Sequence, residues 1–412
     1  MTKTDSKYQT LVESQIIRRN HEWFPLLDDL AFKAKNVRNA TVYAMRQYYF
    51  EHNIILTHAE INAIFIAENN VDYRALPAKV SGQIQRKVYE MFKSFQALKE
   101  LQENGEYDKP VKLPGYLNSV DGRFAIYYDK QALSLTKPGF VKLSKTDIYI
   151  PTKVPKDQIH FVEITPKNDY FIITVGYRVE VENKEAEYER VAFVDPGLNN
   201  LMTVTSTEFA PIIYNGRPLK SINQYYNKQK ALEVSRLETR HGQKTSHQTR
   251  TLDRKRKHKI KDYCHKATTD LVNQLVSHGV QTLVFGHNTG QKQDINLGKR
   301  TNQNFVNIPF TLLIHMLEYK CQVNGIHFIV HEESHTSKCS FIDQESIEYH
   351  EDYLGRRIKR GLFESLLGKK YNSDVNGSLN IGRKYLTTIN KYTIEMHNKL
   401  LFMMGNPRVR TV

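Results

Sequence analysis

Only three cysteines occur in 412 residues, and none forms part of a Cys-x-x-Cys pair. Cys264, Cys321 and Cys339 stand far apart, which argues against a disulfide framework and suits a reducing compartment. No run approaches the ~20 apolar residues that span a bilayer. The opening MTKTDSKYQT is polar and carries no signal-peptide pattern. These absences predict a soluble, cytoplasmic protein with no membrane partner. Internal repeats and low-complexity linkers are also missing. Acids are in the minority, 44 against 59 Lys and Arg, leaving a net charge of +15. That excess points to a polyanion partner, because cations set against phosphates release condensed counterions.

The chain is long enough for two or three domains. TLVESQIIRRN (10–20) reads as a first strand. From about 22 to 105, apolar residues recur at helical spacing: Leu27, Leu30, Ala31, Ala34, Val37, Thr41 and Ala44, then Ile84, Val88, Met91, Phe92, Phe95 and Leu98. From 111 to 186, short alternating runs between turn residues predict a small antiparallel, barrel-like β unit. From about 189 the texture is mixed α/β. The predicted order is β-β-β-α-β-α-β-α, with a long basic helical stretch at 221–279 broken near Gly242.

Three strand-like runs end differently. VAFVDPG (191–197) ends in one acid, Asp195. QTLVFGHN (281–288) ends in none. HFIVHEESHTSKCS (327–340) places two, Glu332 and Glu333, after an apolar run. A fourth acid, Asp374, stands in NSDVNGSLN, where it favours a helix N-terminus. Singly, each reads as a solvated strand-end or helix-cap residue. Together they gather carboxylates at one end of one sheet. Hard oxygen ligands of this kind hold Mg²⁺, and two ions can clamp the attacking and leaving oxygens of a phosphodiester.

On these motifs the sequence resembles the TnpB family, transposon-encoded RNA-guided DNA endonucleases of the insertion-sequence OrfB type. FVDPGLNNLMTVTS is similar to their first RuvC motif and SDVNGSLNIGRKYL to their third. RKRKHKIKDYCHKATTDLV resembles their basic helix. IPFTLLIHMLEYKCQVNGIHFIVHEESHTSKCS resembles the helix–strand unit that leads to their zinc ribbon. The resemblance implies an α/β RNase H-like (RuvC) nuclease domain with an N-terminal helical recognition domain and a small β-barrel wedge domain. The implied boundaries are 1–20 for a first wedge strand, 21–108 for recognition, 109–188 for the wedge and 189–412 for the nuclease. A degenerate zinc ribbon would be inserted at about 336–372.

The resemblance carries catalytic and metal-binding roles onto Asp195 and Asp374, with two Mg²⁺ ions expected. It gives Asn376 and Asn380 a helix-packing role. Its usual second acid closes the strand matched by QTLVFGHN, where this chain has Gly286 and His287. Glu332 or Glu333 is the expected replacement from the neighbouring strand, with Glu333 favoured. Adjacent strand residues point to opposite faces, so one of the two faces the metals. A strand two places from Asp195 starts ~10 Å away, a gap that a glutamate must bridge.

The ribbon retains Cys339 alone, so structural zinc is not expected; a Cys339/His350 site would have to be completed by acids, a weak set of ligands for tetrahedral zinc. The implied partners are a guide RNA and target double-stranded DNA. Expected contacts are Arg250, Arg254, Lys255, Arg256, Lys257, Lys259 and Lys261 in the basic helix. Lys299 and Arg300 in a lid loop at 296–305, and Arg356, Arg357, Lys359 and Arg360 in the insertion, complete the set. Alternatives are a nuclease-impaired RNA-guided repressor and a transposase or recombinase accessory protein. The sequence does not set the oligomeric state.

Overall fold

Residues 8–181, 186–288 and 309–412 are described by the computed structural model. The predicted lid loop, with Lys299 and Arg300, lies outside the described residues. Two compact units divide the chain, 8–179 and 180–412.

In the first unit, β1 (Tyr8–Arg18) joins β2 (Ile126–Asp129), β6 (Ile159–Pro166) and β7 (Tyr170–Glu180) in a sheet ordered β1-β7-β6-β2. Strands β3 (Leu133–Ser134), β4 (Phe140–Leu143) and β5 (Tyr149–Pro151) form a second sheet. The texture predicted one barrel-like unit. The hydrogen bonding instead makes two sheets over a shared core, in which Val141, Ile150, Val162 and Ile173 are fully buried. Helix α1 (Phe24–His52) ends on Asn53 in the left-handed conformation at φ 53°. Helices α2 (His58–Ala67), α3 (Val71–Arg74) and α4 (Ala78–Glu103) follow. Leu27, Leu30, Ala31, Ala34, Val37 and Ile84 join the same core as the sheets. The helical and β regions, read from sequence as separate domains, therefore share one hydrophobic interior.

The second unit is built on a sheet ordered β12-β11-β8-β9-β10-β16. Its strands are β8 (Val191–Pro196), β9 (Asn200–Ser206), β10 (Ile212–Asn215), β11 (Thr282–Gly286), β12 (His327–His331) and β16 (Arg408–Arg410). Val191 to Val194 are all fully buried, as a central strand covered on both faces requires. Ala192 and Val194 face a core shared with α6 (His247–Ser277) and α7 (Phe310–Val323). Val191 and Phe193 face α8 (Ser373–Thr388) and α9 (Ile394–Met403) through Leu379, Ile381 and Leu400. Burying an aliphatic or aromatic side chain of this size contributes roughly 1.5–3 kcal/mol.

The basic stretch is two helices, α5 (Arg217–His241) and α6, with Gly242 at φ +61° ending the first. Helix α9 and strand β16, which pairs parallel with β10, extend the predicted element order. Between β12 and α8 lies a small sheet of β13 (Arg356–Lys359), β14 (Leu362–Glu364) and β15 (Lys370–Asn372). Among the described residues no helix is long and apolar enough to cross a membrane.

Candidate active site

Parallel pairing fixes which side chains share a face. Phe193 pairs with Val284, and Val284 with Ile329. Alternation therefore puts Asp195, Gly286 and His331 on the α8 face, and two residues further brings Glu333 to it. Glycine makes that face accessible. A Cβ added at Gly286 would lie 2.6 Å from Glu333 Oε2 and 2.5 Å from Ile381 Cδ1. A Cβ added at Gly377 would lie 2.7 Å from Asp195 Oδ2. The first glycine leaves room for the Glu333 carboxylate, and the second lets the α8 backbone close on Asp195.

Strand β11 does lie between β8 and β12. Glu333, just beyond β12, reaches back across Gly286. Its N–H donates to Asn288 Oδ1 at 2.9 Å. Glu332 is exposed and engaged elsewhere: it pairs with Lys384 and accepts from Ser334 N and Oγ, both at 2.8 Å. Burial would raise the Glu332 pKa, but the Lys384 and Ser334 hydrogen bonds hold it down at about 2. Asp195 shows the opposite pattern. Enclosure pushes its carboxyl well above the usual carboxylate range, the charges of Glu333 and Asp374 push it further, and Arg357 partly offsets them. Asp195, Glu333 and Asp374 thus share one electrostatic environment, and Glu332 does not.

Asp374 sits in the first turn of α8, whose N-cap Asn372 accepts from the N–H groups of Asp374 and Val375 at 2.8 and 3.1 Å. Its Oδ2 accepts from Asn200 Nδ2, and its Oδ1 lies 3.8 Å from Arg357 Nη2. Sequence reasoning missed Asn200 in this role, although the GLNN turn directly after Asp195 was a usable signal. It assigned Arg357 to nucleic acid alone, whereas the β13 hairpin carries it to the acid cluster. Three carboxylates supply the hard oxygen donors that suit Mg²⁺ in kind. As placed, no three His, Cys, Asp or Glu side chains among the described residues are grouped to hold an ion.

The insertion is supported by amides and carboxylates. Buried Glu345 accepts from Ser340 N at 2.6 Å and Leu354 N at 2.7 Å. Asn376 donates to Cys339 O and accepts from Phe341 N and Tyr371 OH. Asn380 donates to the carbonyls of Thr336 and Cys339. The two asparagines expected to pack α8 thus tie it to the loop at 336–341. Cys339 Sγ lies 3.7 Å from Glu348 O, and His350 bonds to Ser346. Replacing Glu345 by alanine strands the buried N–H of Ser340 and the partly buried N–H of Leu354. It should cost about 2–3 kcal/mol, read as a lower urea midpoint for this unit.

In the basic helix, Arg250, Lys255, Lys257, Lys259 and Lys261 are exposed. Arg254 is partly buried. Arg256 is held within the α5–α6 pair, donating to Asn223 at 2.7 Å and stacking on Tyr226. In the insertion, Lys359 and Arg360 are exposed, and Arg356 is paired with Glu364.

Two family models match this chain. One, described as a probable transposase of OrfB_IS605 type, covers residues 174–292, and the other, a Cas12f1-like TNB domain, covers 310–381. A TnpB-like protein, ORF457 of Acidianus two-tailed virus, is 26% identical over 262 residues, 61% of this chain and 53% of the relative. These matches support a TnpB family member. The chain spans about half the length of that curated relative. Its fold is similar to that of Cas12f1 in a complex with single-guide RNA and target DNA. The TM-score is 0.52 at 12% identity, over 87% of this chain and 83% of the other.

The Gly286 vacancy yields a test. Gly286→Ala puts a methyl 2.6 Å from Glu333 Oε2 and 2.5 Å from Ile381 Cδ1. It should lower any activity that needs Glu333 by about 10–100-fold, the range for displaced supporting groups at metal sites. Circular dichroism should still show a folded chain.

Proposed function

We propose that this TnpB protein is an RNA-guided DNA endonuclease of a transposable element, cutting guide-matched DNA by Mg²⁺-dependent phosphodiester hydrolysis. The observation that carries this reading is the Glu333 carboxylate lying over side-chain-free Gly286, in the same environment as Asp195 and Asp374. Divalent ions, when bound, would polarise the scissile phosphate and stabilise charge on its entering and departing oxygens. Asp195, Glu333 and Asp374 would hold them, with Asn200 orienting Asp374. Glu332, engaged by Lys384, would stay outside.

The exposed cations of α6 and of the β13 hairpin would lie against nucleic-acid backbone, where each neutralised phosphate adds affinity without reading sequence. Guide pairing would read the target, and residues 8–179 would supply recognition and wedge functions. The proposed compartment is the cytoplasm.

A second reading is a guided DNA-binding repressor. The hold of Asn200 and Arg357 on Asp374, with no ready three-ligand group among the described residues, favours it. One experiment separates the two. The full chain is purified, its co-purifying RNA sequenced, and DNA matching that RNA supplied with Mg²⁺. Cutting of matched DNA alone, stopped by a chelator, supports the nuclease. RNA-dependent binding without cutting supports the repressor. Strand joining without RNA supports a recombinase accessory role and overturns both.

A further inference from the structure

Strand β9 places two threonines, Thr203 and Thr205, on the face that meets α8. Thr205 pairs across the strands with Phe193, and its hydroxyl bonds to Ser378 Oγ at 2.8 Å. Thr203 pairs with Asp195 on one side and with Ile213 on the other. It is 1% exposed, and its hydroxyl has no hydrogen-bond partner among the described residues. A buried hydroxyl left unsatisfied costs about 1–3 kcal/mol, so an arrangement that satisfies it is favoured by that amount.

Of its two cross-strand neighbours, Ile213 offers no polar side-chain atom. Asp195 offers a carboxylate whose Cβ, in a cross-strand pair, lies about 4.5–5.5 Å away. Here Asp195 Oδ2 lies 2.7 Å from where a Cβ on Gly377 would stand.

We infer that Thr203 is a positioning residue for Asp195: its hydroxyl donates to one carboxylate oxygen and leaves the other aimed at a divalent ion. This inference rests on the reading of Asp195, Glu333 and Asp374 as a metal site. Thr203 touches neither ion nor substrate and acts through the orientation of one ligand. Outer-sphere hydrogen bonds of this kind change metal affinity by about 10–100-fold.

The test compares Thr203→Val, which keeps shape and loses the hydroxyl, with Thr203→Ser, which keeps the hydroxyl. Full-length protein assembled with its RNA and matched DNA is titrated with Mn²⁺ by electron paramagnetic resonance. The Asp195→Ala complex serves as the blank for ions bound elsewhere. Mn²⁺-dependent cleavage is measured alongside. Thr203→Val should weaken the Asp195-dependent binding about 10–100-fold. It should raise the half-saturating Mn²⁺ for cleavage in step, with the rate recovering at saturating metal. Thr203→Ser should return both to near the parent value.

Wild-type affinity in Thr203→Val overturns the inference and leaves the site reading intact. Equal loss in the Val and Ser variants also overturns it, since packing of the methyl would then be responsible. No difference between parent and Asp195→Ala overturns the site reading and the inference with it.

Discussion

Replacing Asp195 by alanine should reduce guide-matched DNA cleavage by about 10³-fold or more while leaving guided DNA binding intact. The magnitude follows from losing a ligand at a centre that supplies several kcal/mol to charge stabilisation, each 1.36 kcal/mol being tenfold in rate. Collapse of the fold is not expected. Asp195 carries an enclosed carboxyl that repels Glu333 and Asp374, so its charge works against folding in the metal-free protein. Asp195→Asn should accordingly raise the unfolding temperature, by ~2–4 °C for each kcal/mol of relieved repulsion in a unit of this size. Gel shift, cleavage and thermal unfolding on the same preparations check all three outcomes. Cutting that survives Asp195→Ala would mean that this carboxylate cluster is not the nuclease centre.

The second large effect is a contrast between adjacent residues. Glu333→Gln keeps size and removes charge from the carboxylate over Gly286, and should lower cleavage about 10²–10³-fold, comparable to losing one preorganised charge-stabilising group. Glu332→Gln should leave cleavage within a few-fold of the parent. Glu332 is half exposed and spends its oxygens on Lys384 and Ser334. Its pairing with Lys384 is screened by solvent and contributes little to stability. Rates measured at fixed Mg²⁺ with one guide decide the matter. Equal losses, or a larger loss at 332, would assign the ligand to the wrong glutamate.

Much of this site could be read from the chain because its parts are local. A buried strand ending in Asp195, a turn glycine after it, and an acid in the first turn of a helix are patterns of a few residues. Strand alternation restricted the glutamates to one on the site face, but a sequence does not state where β12 stops. That needed the pairing of Gly286 with His331, which leaves Glu333 beyond the last ladder residue. Asn200 and Arg357 were harder because their partner, Asp374, is 174 and 17 residues away. The barrel-like β unit resolved into two sheets because alternation reports which face is buried and says nothing of which edges pair. Strand β16 was missed because three residues carry no measurable period. Its place is set by pairing with β10 and by Arg410 meeting Asp270 at 2.7 Å.

The empty position at Gly286 makes residues 286 and 333 a single epistatic unit. Neither can be changed without altering what the other is worth. A methyl at 286 crowds both the Glu333 carboxylate and Ile381 Cδ1, so in a Glu333→Ala background Gly286→Ala should lose its effect on activity and keep only the packing cost of displacing Ile381. Conversely, a glutamate restored at 286 can be useful only after the one at 333 is removed. On the proposed reading, a chain moving between the two layouts by single substitutions must pass through a form with either two crowded carboxylates or none, and both would be poor nucleases. An acid established at 333 would then be held in place by that valley as much as by its own contacts.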